Sequence, residues 1–108
     1  MSRITTHVLD TVLGKPAPGI RVHLDKRQSP NWVPVSTSAT DADGHCHVSE
    51  NAPAATYRLT FETGAYLTNS GRSTVYPEIS ITFTCAGEPH YHLPLLLSDN
   101  SYITYRGS

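Results

Sequence analysis

Apolar and polar positions alternate in short runs along most of this chain, and clusters of turn residues separate the runs. Alternation with a period of two is the mark of a strand that buries one face. Residues 4–12 alternate and are rich in Thr and Val, and the Gly- and Pro-rich stretch 14–19 turns the chain. Residues 20–24 put Ile20, Val22 and Leu24 on one face. Residues 32–40 make a third run, closed by Asp41-Ala42-Asp43-Gly44, a strong turn signal. Residues 45–48 support a short strand at most. Tyr57, Leu59 and Phe61 share a face of 57–61, and Ile79, Ile81 and Phe83 share a face of 79–83. The runs 90–98 and 102–106 flank Ser98-Asp99-Asn100-Ser101 and predict a hairpin.

One segment breaks the alternation. Residues 63–70 predict a single short helix, with Thr63 as N-cap and Gly71 as its stop. About eight strands at near-regular spacing predict an all-β sandwich or barrel. No internal repeat, low-complexity tract or linker interrupts it. A length of 108 residues suits one modest core, so residues 1–108 read as a single domain.

Charge narrows the partners. A formal net charge of -1 leaves no electrostatic footprint for nucleic acid or an anionic membrane. No apolar run approaches a membrane span, and Met1-Ser2-Arg3-Ile4 lacks the basic and apolar regions of a signal peptide. Two cysteines, Cys46 and Cys85, are too few for a disulfide framework. A reducing compartment is expected, with one bridge between them left open. Six histidines against one methionine and one tryptophan is the compositional departure. Histidine is the side chain whose ordinary pKa lies near neutrality.

The alternation places those histidines. In 90–98 it turns Tyr91, Leu93, Leu95 and Leu97 to the core and His90, His92, Pro94 and Leu96 to the other face. In the first run His7 shares a face with Thr5, Leu9 and Thr11, while Val8 and Val12 share the opposite one. His45-Cys46-His47 repeats the His-x-His spacing. Two such histidines can chelate a metal, but a site needs three or four converging ligands, and spacing alone does not bring them together. A lone strand histidine is more often a solvated surface residue. No Gly-x-Ser-x-Gly elbow and no glycine-rich phosphate cradle is present, and Asp-x-Asp-Gly reads here as turn chemistry. What the composition allows is histidine, arginine and tyrosine acting on activated water.

The chain closes on Thr104-Tyr105-Arg106-Gly107-Ser108. Taken alone, Gly107-Ser108 is what a cloning junction leaves. In context it completes a pattern: His7-Val8-Leu9-Asp10-Thr11, Asp43-Gly44, Thr63-Gly64-Ala65-Tyr66, Tyr76-Pro77-Glu78, His90-Tyr91-His92-Leu93-Pro94-Leu95-Leu96-Leu97-Ser98 and Tyr105-Arg106-Gly107-Ser108. In order and spacing these resemble the 5-hydroxyisourate hydrolase family, the transthyretin-related enzymes of urate breakdown, over almost the whole chain. Tyr-Arg-Gly-Ser is that family's diagnostic ending. The hormone-carrying transthyretins share the fold but lack that ending and the His-x-His.

The resemblance implies a transthyretin-like sandwich of two four-stranded antiparallel sheets with one short helix. It implies a homotetramer, a dimer of dimers, with sites at the mouths of a channel between the dimers. It implies cofactor-free, metal-free hydrolysis of 5-hydroxyisourate to 2-oxo-4-hydroxy-4-carboxy-5-ureidoimidazoline. His7, His92 and Ser108 are the implied catalytic residues; His7, Tyr105 and Arg106 match substrate-binding positions. The chain departs from the family at one point. The family carries Asp-Gly-Arg where this chain has Asp43-Gly44-His45. His45 is then expected to line the site as a weaker substitute, since a histidine has no guanidinium fork and is mostly neutral at pH 7. The rival reading is a transthyretin-like small-molecule carrier with reduced or lost catalysis. The expected location is the cytoplasm, or the peroxisome in a eukaryotic cell.

Overall fold

The structure, a computed structural model, describes residues 1–108. Ten strands and one helix follow one another: β1 (Ser2–Asp10), β2 (Lys15–Pro16), β3 (Arg21–Gln28), β4 (Asn31–Ala39), β5 (His45–Ala52), β6 (Ala55–Phe61), α1 (Thr63–Asn69), β7 (Ile79–Cys85), β8 (His90–His92), β9 (Leu95–Leu97) and β10 (Tyr102–Thr104). They form two sheets. One has the order β4-β3-β6-β7 and is antiparallel throughout. The other is organised on β1, which pairs with β2 and β5 antiparallel and with β8 and β9 parallel, while β10 extends the sheet beyond β9.

Alternation drives the packing. Ile4 and Val8 of β1, Val22 and Leu24 of β3, Leu59 and Phe61 of β6, and Leu95 and Leu97 of β9 are all at most 1% exposed and meet between the sheets. Full burial of each such side chain stabilises the fold by about 1.5–3 kcal/mol.

The two-sheet sandwich with one short helix is the expected fold, but the sheet built on β1 differs in detail from four antiparallel strands. It counts six segments. Pro94 has no N–H to donate, and the run 90–98 breaks there into β8 and β9. Lys15–Pro16 adds a two-residue strand. With β8 and β9 taken as one interrupted strand and β2 set aside, four remain. Parallel pairing arises because the chain re-enters this sheet from β7 running in the direction of β1.

Several boundaries also move. β1 stops at Asp10 because that carboxylate accepts the N–H groups of Val12 and Leu13, at 3.1 Å each, and turns the chain. Val12, expected on the inward face, is consequently 58% exposed. β5 runs to Ala52, since the backbone of its polar second half still pairs with β1. In α1, Glu62 occupies the N-cap position and no side chain caps it. The Glu62 N–H still bonds the Arg21 carbonyl at 3.0 Å, so helical backbone begins only at Thr63, whose buried hydroxyl has no partner. The helix stops as expected, with Gly71 N–H on the Thr68 carbonyl and Arg72 N–H on the Leu67 carbonyl.

Just beyond that stop lies the principal buried polar network. The Arg72 guanidinium holds both Asp10 oxygens, at 2.5 and 3.1 Å, and reaches Asp99 at 2.6 Å. The Tyr66 hydroxyl donates to Asp10 at 2.8 Å. This cluster ties α1 and the 98–101 turn to the end of β1. Cys46, in β5, and Cys85, in β7, are buried and unbridged.

Candidate active site on the outer face of the first sheet

Strand register builds the site. His7 lies across from His45, and Thr5 across from His47, in the β1–β5 pair. On the other side of β1, Arg3 pairs with His90 and Thr5 with His92. Cross-strand partners share a face of the sheet. Five of the six histidines therefore gather on the face opposite the core, and only His23 lies on the other sheet. Between them opens a cavity of about 280 Å³, lined by Arg3, Thr5, Thr6, His45, Cys46, His47, His90, His92 and Ser108.

Each ring is held locally. The Asp41 carboxylate accepts the N–H groups of His45 and Asp43, at 2.9 Å each, and so fixes the turn that starts β5. The His45 N–H is the main reason that this carboxyl titrates below its ordinary value. His45 then stacks on His7 with ring centroids 4.0 Å apart. His7 Nε2 donates to the Asp43 carbonyl at 2.9 Å. A carbonyl only accepts, so the neutral ring carries its proton on Nε2 and leaves Nδ1 bare. Gly44 allows this closeness. Its φ is +78°, and a Cβ there would stand 2.5 Å from the Val8 carbonyl oxygen and 3.3 Å from the His7 ring.

His92 is held from the opposite side. The Thr5 hydroxyl lies 2.8 Å from its Nδ1 and 2.7 Å from His90 Nε2. The tail folds back over it, with the Gly107 N–H on the His92 carbonyl at 2.7 Å. A Cβ on Gly107 would come within 2.8 Å of the His92 ring, so only glycine lets the tail pass. That passage carries Ser108 to the cavity wall. Burial holds the His92 pKa below the ordinary histidine value, and the neighbouring His90, His7 and His45 push it the same way. The arrangement keeps a neutral imidazole in a polar cavity, the form that can accept a proton from water.

Of the residues singled out by sequence, His45, His92 and Ser108 line the cavity, and His7 adjoins it through the stack on His45. Tyr105 and Arg106 do not line it. Tyr105 is half exposed, and the Arg106 guanidinium sits 4.6 Å over the Tyr91 ring. His47 and His90, the other members of the two His-x-His pairs, also line it, and Arg3 and Thr5 enter the wall beside them. Their signal was present: Arg3 and Thr5 continue the face of His7 by period two, and His47 repeats that of His45. No group of three His, Cys, Asp or Glu side chains gathers in metal-holding geometry.

A two-sheet sandwich with an open, histidine-lined cavity on an outer face, one wall of it reached by the tail, defines a transthyretin-type fold with a candidate site. Residues 4–107 match the HIUase/Transthyretin family, and the chain belongs to that family. It is 41% identical to the 5-hydroxyisourate hydrolase of Mus musculus, over 99% of this chain and 96% of that one. The solved 5-hydroxyisourate hydrolase of Klebsiella pneumoniae superposes with a TM-score of 0.90 at 38% identity, covering 100% of both chains. The transthyretin of Sparus aurata superposes with 0.89 at 34% identity, covering 96% and 95%. The fold is thus common to a hydrolase and a transthyretin, so function has to be argued from the site and not from the fold.

Proposed function

We propose that this chain hydrolyses 5-hydroxyisourate to 2-oxo-4-hydroxy-4-carboxy-5-ureidoimidazoline, a step of urate degradation, and that residues 1–108 suffice as one domain. The observation that carries this reading is the polar cavity in which His45, His92 and Ser108 come together beside His7. Neutral His92 takes a proton from water, and the water oxygen adds to the ring carbonyl carbon. The cyclic amide C–N bond then breaks, and the freed nitrogen receives the proton. His7 orients the water through its bare Nδ1. The Ser108 hydroxyl holds the geometry at the wall, and no cofactor enters the scheme.

Tyr105 and Arg106 position the substrate and stabilise charge on the carbonyl oxygen in this proposal. Neither lines the cavity of one chain, so their part depends on a homotetramer, a dimer of dimers. Exposed Tyr102, Ile103 and Tyr105, on or beside the edge strand β10, support such an assembly. No helix is long and apolar enough to cross a membrane. Two free cysteines suit the reducing cytoplasm proposed as its location.

The test is ultraviolet absorbance with freshly generated 5-hydroxyisourate. Accelerated decay is expected. Decay at the uncatalysed rate would leave a transthyretin-like carrier in its place.

Removing residues 105–108 is expected to lower the rate by about 100-fold or more while shifting Tm by only a few degrees, since the segment buries little but forms part of the site. Rate and Tm are measured on the same sample, and an unchanged rate would return these residues to an idle tail.

His45→Arg tests the departure from the family. A guanidinium adds a permanent charge, and a charge-assisted hydrogen bond contributes roughly 1.5–3 kcal/mol, so KM should fall by about tenfold or more. Unchanged KM would mean that position 45 does not touch the substrate, although His45 lines the cavity.

A further inference from the structure

We propose that Thr5 is a positioning residue that relays a proton between His92 and His90 during this hydrolysis, with His90 holding the proton between the two halves of the reaction. The inference rests on the functional reading above and assigns work to two residues outside it.

The geometry is that of a wire. The His90 and His92 rings stand 6.0 Å apart, so they do not touch. Thr5 Oγ1 lies between them, 2.7 Å from His90 Nε2 and 2.8 Å from His92 Nδ1. It is the only side chain that hydrogen-bonds the His92 ring. A hydroxyl has one proton and two lone pairs. Placed between two imidazole nitrogens, it donates to one and accepts from the other, so the tautomers of the two rings are linked. Thr5 is only 8% exposed, so water competes poorly for this hydroxyl.

In the reactive arrangement His92 Nδ1–H donates to Oγ1, and the Thr5 hydroxyl donates to His90 Nε2. His92 Nε2 is then bare and can take the proton of the attacking water. As it does, the Nδ1 proton passes to Oγ1 and the hydroxyl proton passes to His90 Nε2. The positive charge now rests on His90, whose Nδ1 carries its own proton at the exposed surface throughout the relay and so gives up the 3.5 Å contact of Arg3, a donor only. When the amide C–N bond breaks, His92 Nε2–H protonates the freed nitrogen. His90 Nε2 returns its proton to Oγ1, and Oγ1 returns one to His92 Nδ1. The water proton has moved to the leaving nitrogen, and every protein group is restored.

The benefit comes from charge. An imidazolium at His92 would stand among His7, His45 and His90, in a partly buried site that already disfavours its protonation. Moving the charge across Thr5 takes it out of that setting. The other charged or titratable groups facing the pair are Arg3 on β1, which opposes a proton on His90, and His47 with Glu50 on β5. Arg3 meets His90 only at 3.5 Å and at the exposed surface, where solvent screens it.

Thr5→Val removes the hydroxyl at constant volume, and Thr5→Ser keeps it. Thr5→Val is expected to lower kcat by about 10- to 100-fold with KM within about twofold, and Thr5→Ser to restore kcat to within a few-fold of the parent. A proton inventory of kcat in mixed light and heavy water should be curved in the parent and linear in Thr5→Val, a change that a purely structural role would not produce. His90→Gln should add little to Thr5→Val, because both break one wire. Parent-like kcat and inventory in a folded Thr5→Val protein would overturn the relay, as would Thr5→Ser being as slow as Thr5→Val. Should Thr5→Val fail to fold, Thr5→Ala takes its place. Histidine NMR titration separates this from failure of the functional reading, because it needs no substrate. Coupled two-step titration of His90 and His92 in the parent, lost in Thr5→Val, supports the wire even in a protein that does not hydrolyse 5-hydroxyisourate. Independent titration in the parent would overturn it.

Discussion

Replacing His92 with Asn is expected to abolish hydrolysis of 5-hydroxyisourate and to leave the sandwich folded. Its side chain lies on the face opposite the core, while its strand neighbours Tyr91 and Leu93 supply the burial. The packing loss is therefore small. One hydrogen bond to Thr5 is at stake, worth about 1 kcal/mol, and Asn keeps part of it. The chemical loss is large, since an amide cannot accept the proton of water, and general-base catalysis contributes about 10²- to 10⁴-fold. Initial rate and circular dichroism together decide the matter; a folded variant with parental rate would remove His92 from the mechanism. The parent should also keep its activity somewhat below pH 6.5, the ordinary histidine value, because burial and the surrounding histidines lower the His92 pKa. Stability carries the matching sign. The unfolded chain protonates His92 more readily than the folded one, so this residue costs stability as pH falls through 6.5 toward its folded value. His92→Asn lacks that loss.

The second large effect concerns stability. Arg72→Met is expected to cost about 3–5 kcal/mol, because it strands the Asp10 carboxylate, 0% exposed, without its counter-charge. That loss lowers Tm by about 4–8 °C per kcal/mol for a domain of this size. A loss below about 1 kcal/mol in urea denaturation would show that Tyr66 and the two backbone N–H groups hold Asp10 unaided. Acid should find the same network. Burial works to raise the Asp10 pKa, but the hydrogen bonds of Arg72, Tyr66 and Leu13 outweigh it and bring the carboxyl down from 3.8 to about 2. The folded value lies below the unfolded one, so the stabilisation is complete above pH 3.8 and is lost as pH falls through about 2. Its size is on the order of 2 kcal/mol.

Much of this was legible in the chain. Period-two alternation separated Tyr91, Leu93, Leu95 and Leu97, all buried, from His90 and His92. It also put Thr5 and His7 on one face, which register confirms. What alternation cannot give is which strand lies beside which. That β1 stands between β5 and β8 is decided by pairing across about 40 residues on one side and nearly 90 on the other. Without that neighbourhood, the two His-x-His pairs could not be seen to share one cavity, nor Thr5 to bridge two rings. Strand ends were misjudged where side chains and backbone disagree. Asp10 ends β1 through hydrogen bonds to its own turn, and Ser49-Glu50-Asn51 continue β5 with no apolar signal. The resemblance brings Tyr105, Arg106 and Ser108 to the site, yet in one chain only Ser108 lines the cavity, and Arg106 stacks over the Tyr91 ring instead.

The central place of β1 has a consequence for synthesis. Translation makes this strand first and its parallel neighbours last. At 5–20 residues per second, roughly 2–8 s separate completion of β5 from that of β8. Through that interval a nascent chain can close β4-β3-β6-β7, whose contacts are local, and can pair β1 with β5. One edge of β1 then waits unpaired with its apolar side uncovered. A chain ending after β7 and released from the ribosome would hold the four-stranded sheet but only the β1–β5 half of the histidine-lined face, with the other edge of β1 open to chaperones.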